Sequence, residues 1–329
     1  MDTTLLDLII CRIPGLKGNE RVRLVEGFDK VEDFLLLDKK DIGSFLGRAL
    51  KSRPWKTEEL LLQAEEDSRV SRRLGIRHVS WREPLFPPLL REMHDPPALL
   101  FYRGSFPNPE KPMAAIVGTR KPSARAASRA FQLGRELGQA GISVVSGLAL
   151  GIDSFAHRGN IDGGSPTVAV LGSSLDMIYP ASNRDLASRI LETRGLILSE
   201  YPPGTGPKAW TFPARNRIIS ALARGVVIVE APEKSGALIT ARYALEQDRD
   251  LWVEREALAS KSGAGTLRLA EEGAKVISSA KDILREWNLP LLEPGDRAER
   301  EAGEESVQEE ENFGLKLAAS LAEYLKIKV

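Results

Sequence analysis

From residue 113 onward, short apolar runs alternate with longer stretches in which apolar residues recur every three or four positions. The runs at 114–117, 142–145, 167–171, 196–199, 226–230 and 251–253 are rich in aliphatic residues, which predicts strands. The stretch 123–140 places Ala127, Ala130, Phe131, Gly134 and Leu137 at helical spacing. Regular alternation of strand and helix implies a parallel sheet with helices on both faces. The predicted core is therefore α/β, a Rossmann-like, doubly wound, mostly parallel sheet spanning 106–288. In such sheets ligands sit beyond the carboxyl ends of the strands, so the loops after each strand are where function is expected.

The flanking segments carry other patterns. Residues 1–60 read as short helices, a small all-α domain of helix-hairpin-helix or SAM-like form. Within it the turn Ile13-Pro14-Gly15-Leu16-Lys17-Gly18 separates two apolar segments. A turn of that kind can present backbone N–H groups to a phosphate, or be a plain helical cap or protein-interaction module; Glu20 and the acids that follow weigh against DNA contact. Residues 61–105 read as a connector whose prolines (Pro84, Pro87, Pro88, Pro96, Pro97) hold the chain extended, with one short strand at 99–102. Residues 289–312 read as an acidic linker and 313–329 as a short amphipathic helix.

Composition narrows the class. A 42% hydrophobic, 28% charged chain of 329 residues has the make-up of a globular protein, without the apolar run a bilayer span needs. No signal peptide is expected, and a single cysteine, Cys11, points to a reducing compartment, so a cytoplasmic, membrane-free setting is expected. One cysteine and three dispersed histidines (His78, His94, His157) are too few for a His/Cys zinc site, and no metal or cofactor is expected. The net charge of zero conceals segregation. Residues 118–135 carry Arg120, Lys121, Arg125, Arg129 and Arg135 without an acid, and 201–229 carry Lys208, Arg215, Arg217 and Arg224 without one. Local field, rather than net charge, decides where a polyanion docks.

Four loops hold the candidate chemistry. The first strand ends in Gly118-Thr119-Arg120-Lys121, ahead of Ser123 as a helix cap. The second runs into the small-residue loop Ser146-Gly147-Leu148-Ala149-Leu150-Gly151. Neither is a Walker A loop or a GxGxxG fingerprint. The third, 199–217, sets Lys208, Arg215 and Arg217 among Tyr201, Trp210 and Phe212, before a helix expected to start near Pro213. Cations pair with phosphates and aromatic faces stack on bases, although core packing under a long loop is the simpler account of the aromatics. Cations in a first helical turn oppose the helix dipole, which suggests an anionic partner. The fourth, Lys234-Ser235-Gly236, opens a helix and offers a phosphate nest.

Together these loops resemble the DNA-processing protein A (DprA, or Smf) family. The resemblance rests on Gly118-Thr119-Arg120; Ser146-Gly147 with Ala149, Gly151-Ile152-Asp153 and Ala156-His157; Tyr179-Pro180; 199–204; Phe212-Pro213 with Arg215-Asn216-Arg217; and Lys234-Ser235-Gly236 with Leu238-Ile239-Thr240-Ala241. It implies a homodimer that binds single-stranded DNA, protects incoming DNA and loads RecA recombinase in natural transformation, without catalysis. The expected DNA-binding residues are Gly118, Thr119, Arg120, Lys121, Ser146, Gly147, Lys208, Phe212, Arg215, Asn216, Arg217, Lys234, Ser235, Gly236 and Thr240. Arg129, expected on the solvent side of its helix, should matter little. Two departures stand out. Glu254-Arg255 replaces the family's usual Pro-Gly turn, and the acidic linker with its short helix stands where many members have a winged helix.

The rival class is a nucleotide-processing enzyme of the lysine-decarboxylase-like Rossmann type. Its PGGxGTxxE signature is missing from 234–240. Asp153 and His157, four residues apart on a helix, are the one acid/base pair it could use, against the simpler reading of a helix-start aspartate and a packed histidine.

Overall fold

The computed structural model describes residues 3–52 and 54–291. The predicted helix at 313–329 and all but the start of the predicted linker lie outside the described residues. The chain divides into two compact units, Met1–Ile283 and Leu284–Val329. In the second, the described residues 284–291 form the end of the helix Ala280–Glu286 and the segment after it.

The first unit is built on a nine-stranded sheet. Its strands are β1 (Arg77–Ser80), β2 (Leu99–Gly104), β3 (Met113–Val117), β4 (Ser143–Ser146), β5 (Val168–Val170), β6 (Leu196–Ser199), β7 (Gly225–Ile228), β8 (Asp250–Glu254) and β9 (Lys275–Ile277). They lie in the order β1-β2-β6-β5-β4-β3-β7-β8-β9. The seven from β3 to β9 pair in parallel, whereas β1 and β2 add to β6 antiparallel. Central strands such as SVVS (β4), VAV (β5) and GVVI (β7) are buried throughout, as strands covered on both faces must be.

The six predicted strands are all present, each within two residues at its ends. The predicted connector is different. Its first part is the 18-residue helix Thr57–Leu74, and β1 and β2 make it part of the sheet. The sheet thus begins at residue 77, not 106. A four-residue strand of sequence RHVS shows too few apolar positions for a period to register.

The N-terminal helices Thr3–Arg12, Gly18–Gly27, Val31–Leu35 and Lys39–Leu46 do not bury a core of their own alone. Leu6, Ile9, Val25, Phe34 and Ile42 share one apolar cluster with Leu99, Phe101, Leu171, Ile190 and Ile197 of the sheet and its coverings. Along β2 the next side chains, Leu100 and Tyr102, enter the cluster on the opposite face. That alternation is the two-residue period of a strand.

Candidate nucleic-acid interface

Strand order reverses between β3 and β7: from β3 the chain moves to β4 on one side and, later, to β7 on the other. The helices that follow neighbouring strands leave the sheet on opposite faces there, which opens a crevice at the carboxyl ends. An open cleft of about 760 Å³ occupies that place. Its walls are the loops after β3, β4, β7 and β8, with Ala149 from the second of these and Asp153 just after it, and the first turns of the helix Thr211–Leu222, which starts two residues before Pro213.

The cleft gathers Gly118, Thr119, Arg120, Lys121, Phe212, Arg215, Asn216, Lys234, Ser235, Gly236 and Thr240 of the expected set. Arg120, Lys121 and Lys234 are exposed, and none lies within salt-bridge distance of a carboxylate among the described residues. The Arg120 guanidinium lies 5.4 Å from the centre of the Phe212 ring. Such an arrangement attracts a cation to an aromatic face while leaving the charge open to solvent.

Beneath them Arg215 is buried and donates to the carbonyls of Gly147 (2.8 Å) and Val170. Burial pushes its pKa down to about 10, with Arg120 pushing the same way and Asp153 opposing; it stays cationic at neutral pH. Gly147 is required here. A Cβ at that position would stand 2.5 to 2.6 Å from the Arg215 guanidinium. Gly147 also lines a smaller pocket beside the cleft, with Arg120, Leu150, Tyr179 and Phe212. The loop after β4 is fixed from two sides. Asp153 accepts from the amides of Gly147 (3.0 Å) and Ala149 (3.4 Å), and Asn183 Nδ2 donates to the Leu148 carbonyl (2.9 Å). Leu148 is held at φ +53°, a conformation that the surrounding bonds must impose on a residue with a branched side chain.

Besides Gly147, three expected residues lie outside the cleft wall. Ser146 is fully buried and donates to the Ile116 carbonyl (2.7 Å), a bond that ties β4 to β3. Lys208 is exposed but lies outside the cleft wall, with its Nζ 6.0 Å from the Trp210 ring centre. Arg217 is a correction. It is buried and donates to both oxygens of Glu200 (2.7 and 2.8 Å), with Asp95 3.7 Å away. Two residues apart on a helix, side chains point about 200° apart, so Arg215 and Arg217 cannot serve one anion. Arg129 is likewise not a free surface charge: it pairs with buried Glu254 (3.0 Å) and donates to the Ser278 carbonyl. Glu254 also caps the short turn that follows, which gives the Glu254-Arg255 departure its structural sense.

In the N-terminal turn a carboxylate of this chain already occupies the place of an anion at two of the amides. The amides of Gly18 (2.7 Å) and Asn19 (3.3 Å) already donate to Asp95. A Cβ on Gly18 would stand 2.1 Å from the Pro96 carbonyl oxygen, so only glycine lets this turn seat on 95–96. Asp153 and His157 do not form a pair. His157 is buried, its pKa is pushed down to about 3 by desolvation, and its Nδ1 bonds Thr167 Oγ1 (2.8 Å). Thr167 gives its proton to the Val144 carbonyl (2.7 Å), so Nδ1 is the donor and the ring is neutral.

Sequence reasoning missed Glu230. This fully buried carboxylate accepts from Ser123 N (2.8 Å), Ser123 Oγ (3.0 Å) and Ser260 Oγ (2.6 Å), and so joins the loops after β3, β7 and β8. It also missed Ser262 in the cleft wall, although the second Lys-Ser-Gly, at 261–263, was there to be read.

Residues 77–288 match the family described as DNA recombination-mediator protein A. The DNA processing protein DprA of Streptococcus pneumoniae is 36% identical over 281 residues, 84% of this chain and 95% of that protein. DprA of Bacillus subtilis is 40% identical over 227 residues, 68% and 76% of the two chains. Protein Smf of Synechocystis is 41% identical over 230 residues, which is 68% of this chain but 58% of that longer protein. The crystal structure of the Streptococcus pneumoniae protein superposes with a TM-score of 0.72 at 32% identity, covering 87% of this chain and 98% of that one. A Helicobacter pylori DNA processing protein A structure, described for its single-stranded DNA binding mode, gives 0.58 at 31% identity over 64% and 95%. The shared sheet, its loops and the extent of the match leave one conclusion: this chain belongs to the DNA recombination-mediator protein A family.

Proposed function

We propose that the chain binds single-stranded DNA in the cleft between β3 and β7, with little dependence on sequence. The observation that carries this reading is the convergence of Arg120, Lys121 and Lys234, unpaired by carboxylates, on one cleft whose wall also holds Phe212, with Arg120 over its ring. Cations of this kind follow a phosphate backbone, and an aromatic face accepts any base. The single-stranded DNA described for the Helicobacter pylori relative supports it. No helix in the cleft wall stands free to enter a major groove, the usual means of reading duplex sequence. On the family resemblance we extend the proposal to a cytoplasmic homodimer that protects incoming DNA and loads RecA recombinase, acting without catalysis.

A competition titration tests the central claim: oligo-dT should displace a labelled strand at far lower concentration than a blunt duplex of equal length. Equal or tighter duplex binding refutes it. Release of free base from a nucleoside monophosphate would instead identify a nucleotide-processing enzyme. Failure to speed RecA assembly on oligo-dT would remove the loading role and leave the binding role standing.

A further inference from the structure

We propose that Lys261 and Ser262, in the loop after β8, form a further phosphate position, so that a strand lying in the cleft continues past Lys234 toward β8. The inference rests on the single-strand reading above. Ser262 stands in the cleft wall with Lys234 and Ser235. Its hydroxyl and the exposed Lys261 ammonium have no polar partner among the described residues. Residues 261–263 repeat the Lys-Ser-Gly of 234–236, and each copy precedes a helix that follows one of two neighbouring parallel strands.

The loop is held in place from below. Ser260 donates to Glu230 and accepts from the Ser262 amide (3.2 Å), so the same buried carboxylate that fixes Ser123 fixes this turn. Two first-turn amides of the helix Ala264–Glu271 are not available to an anion. Gly265 N and Thr266 N donate to the Ala231 carbonyl, at 2.8 and 3.2 Å. The anion would therefore meet the Lys261 Nζ and the Ser262 hydroxyl. The acids of the loop are engaged elsewhere: Glu254 with Arg129 and Glu256 with Arg125. A lysine ammonium is a compact charge on a flexible stem, suited to a phosphate whose position varies with the strand.

The test uses the full chain with a long and a short oligo-dT, titrated between about 50 and 200 mM salt. On the long oligomer Lys261→Ala should reduce the log–log salt slope by roughly 0.7, the value for one phosphate of a single strand. On the shortest oligomer that Arg120→Ala still weakens, Lys261→Ala should have no effect. An unchanged slope at both lengths, or an equal fall at both, overturns the continued path while the cleft reading stands. An equal fall from Arg135→Ala, a charge paired with Asp162 outside the cleft, overturns it as well. Failure of the wild-type chain to bind either oligomer overturns the single-strand reading itself.

Discussion

Arg120 and Arg217 look alike in the sequence, two cations in stretches that hold no acid, and the fold gives them opposite work. Arg120 is exposed over Phe212, whereas Arg217 is locked to Glu200 inside the protein. Arg120→Ala should therefore weaken oligo-dT binding and lower its salt slope by roughly 0.7 with folding intact. Arg217→Ala should leave the slope alone and lower stability by about 3 kcal/mol, because the half-buried Glu200 carboxylate loses its bidentate partner. Titration and urea unfolding of both variants check this; a common loss of slope would mean a diffuse electrostatic surface rather than a built cleft. Most of the residues and loops that line the cleft were legible in the sequence. The direction of a side chain was not, since Glu200 lies 17 positions from Arg217. Glu230 was illegible for a related reason: its serine partners are 107 and 30 positions away, and no local pattern links them.

Among the elements, the central strands and their helices followed from aliphatic runs, while β1 and β9, no shorter than β4 and β5, carry too few apolar residues in RHVS and KVI to stand out. The docking of the helix Thr3–Arg12 on the sheet has a titratable seam. Asp7 is buried, its nearest cation Arg82 is 4.0 Å away, and one of its oxygens has no hydrogen-bond partner among the described residues. Desolvation raises its pKa to about 6, against the smaller opposing pull of Ser80 and Arg82. The folded state thus holds this proton more tightly than the unfolded chain. The associated stability is complete below the unfolded value near 3.8 and is lost as pH rises through about 6. Asp7→Asn removes the titration. Its stability relative to the wild-type chain should grow between pH 4 and pH 7 by on the order of 2–3 kcal/mol, measured by urea midpoints across that range. A constant difference would show that the carboxyl is solvated in solution.

For the molecule as a whole, the proposed homodimer is tested on the full chain, because β1 and β2 belong to the sheet and a fragment starting at 106 would lack both. Sedimentation should give a dimer at tens of micromolar, roughly the range of modest interface affinities, and a strict monomer there would remove the self-association. The same edge strands bear on how the protein is made. β2 leaves the ribosome long before β6, its neighbour on the inner side of the sheet, with Phe101 opposite Ser199. Leu6, Ile9 and Phe34 find part of their cover in Ile190 and Ile197. The first third of the chain therefore emerges with its apolar face bare and waits through the synthesis of β3, β4 and β5 for a place to dock. Closing so long a loop is entropically costly and slow. A nascent chain stopped short of Leu196 is a species with exposed hydrophobic surface, the form that chaperones hold and that aggregation claims first.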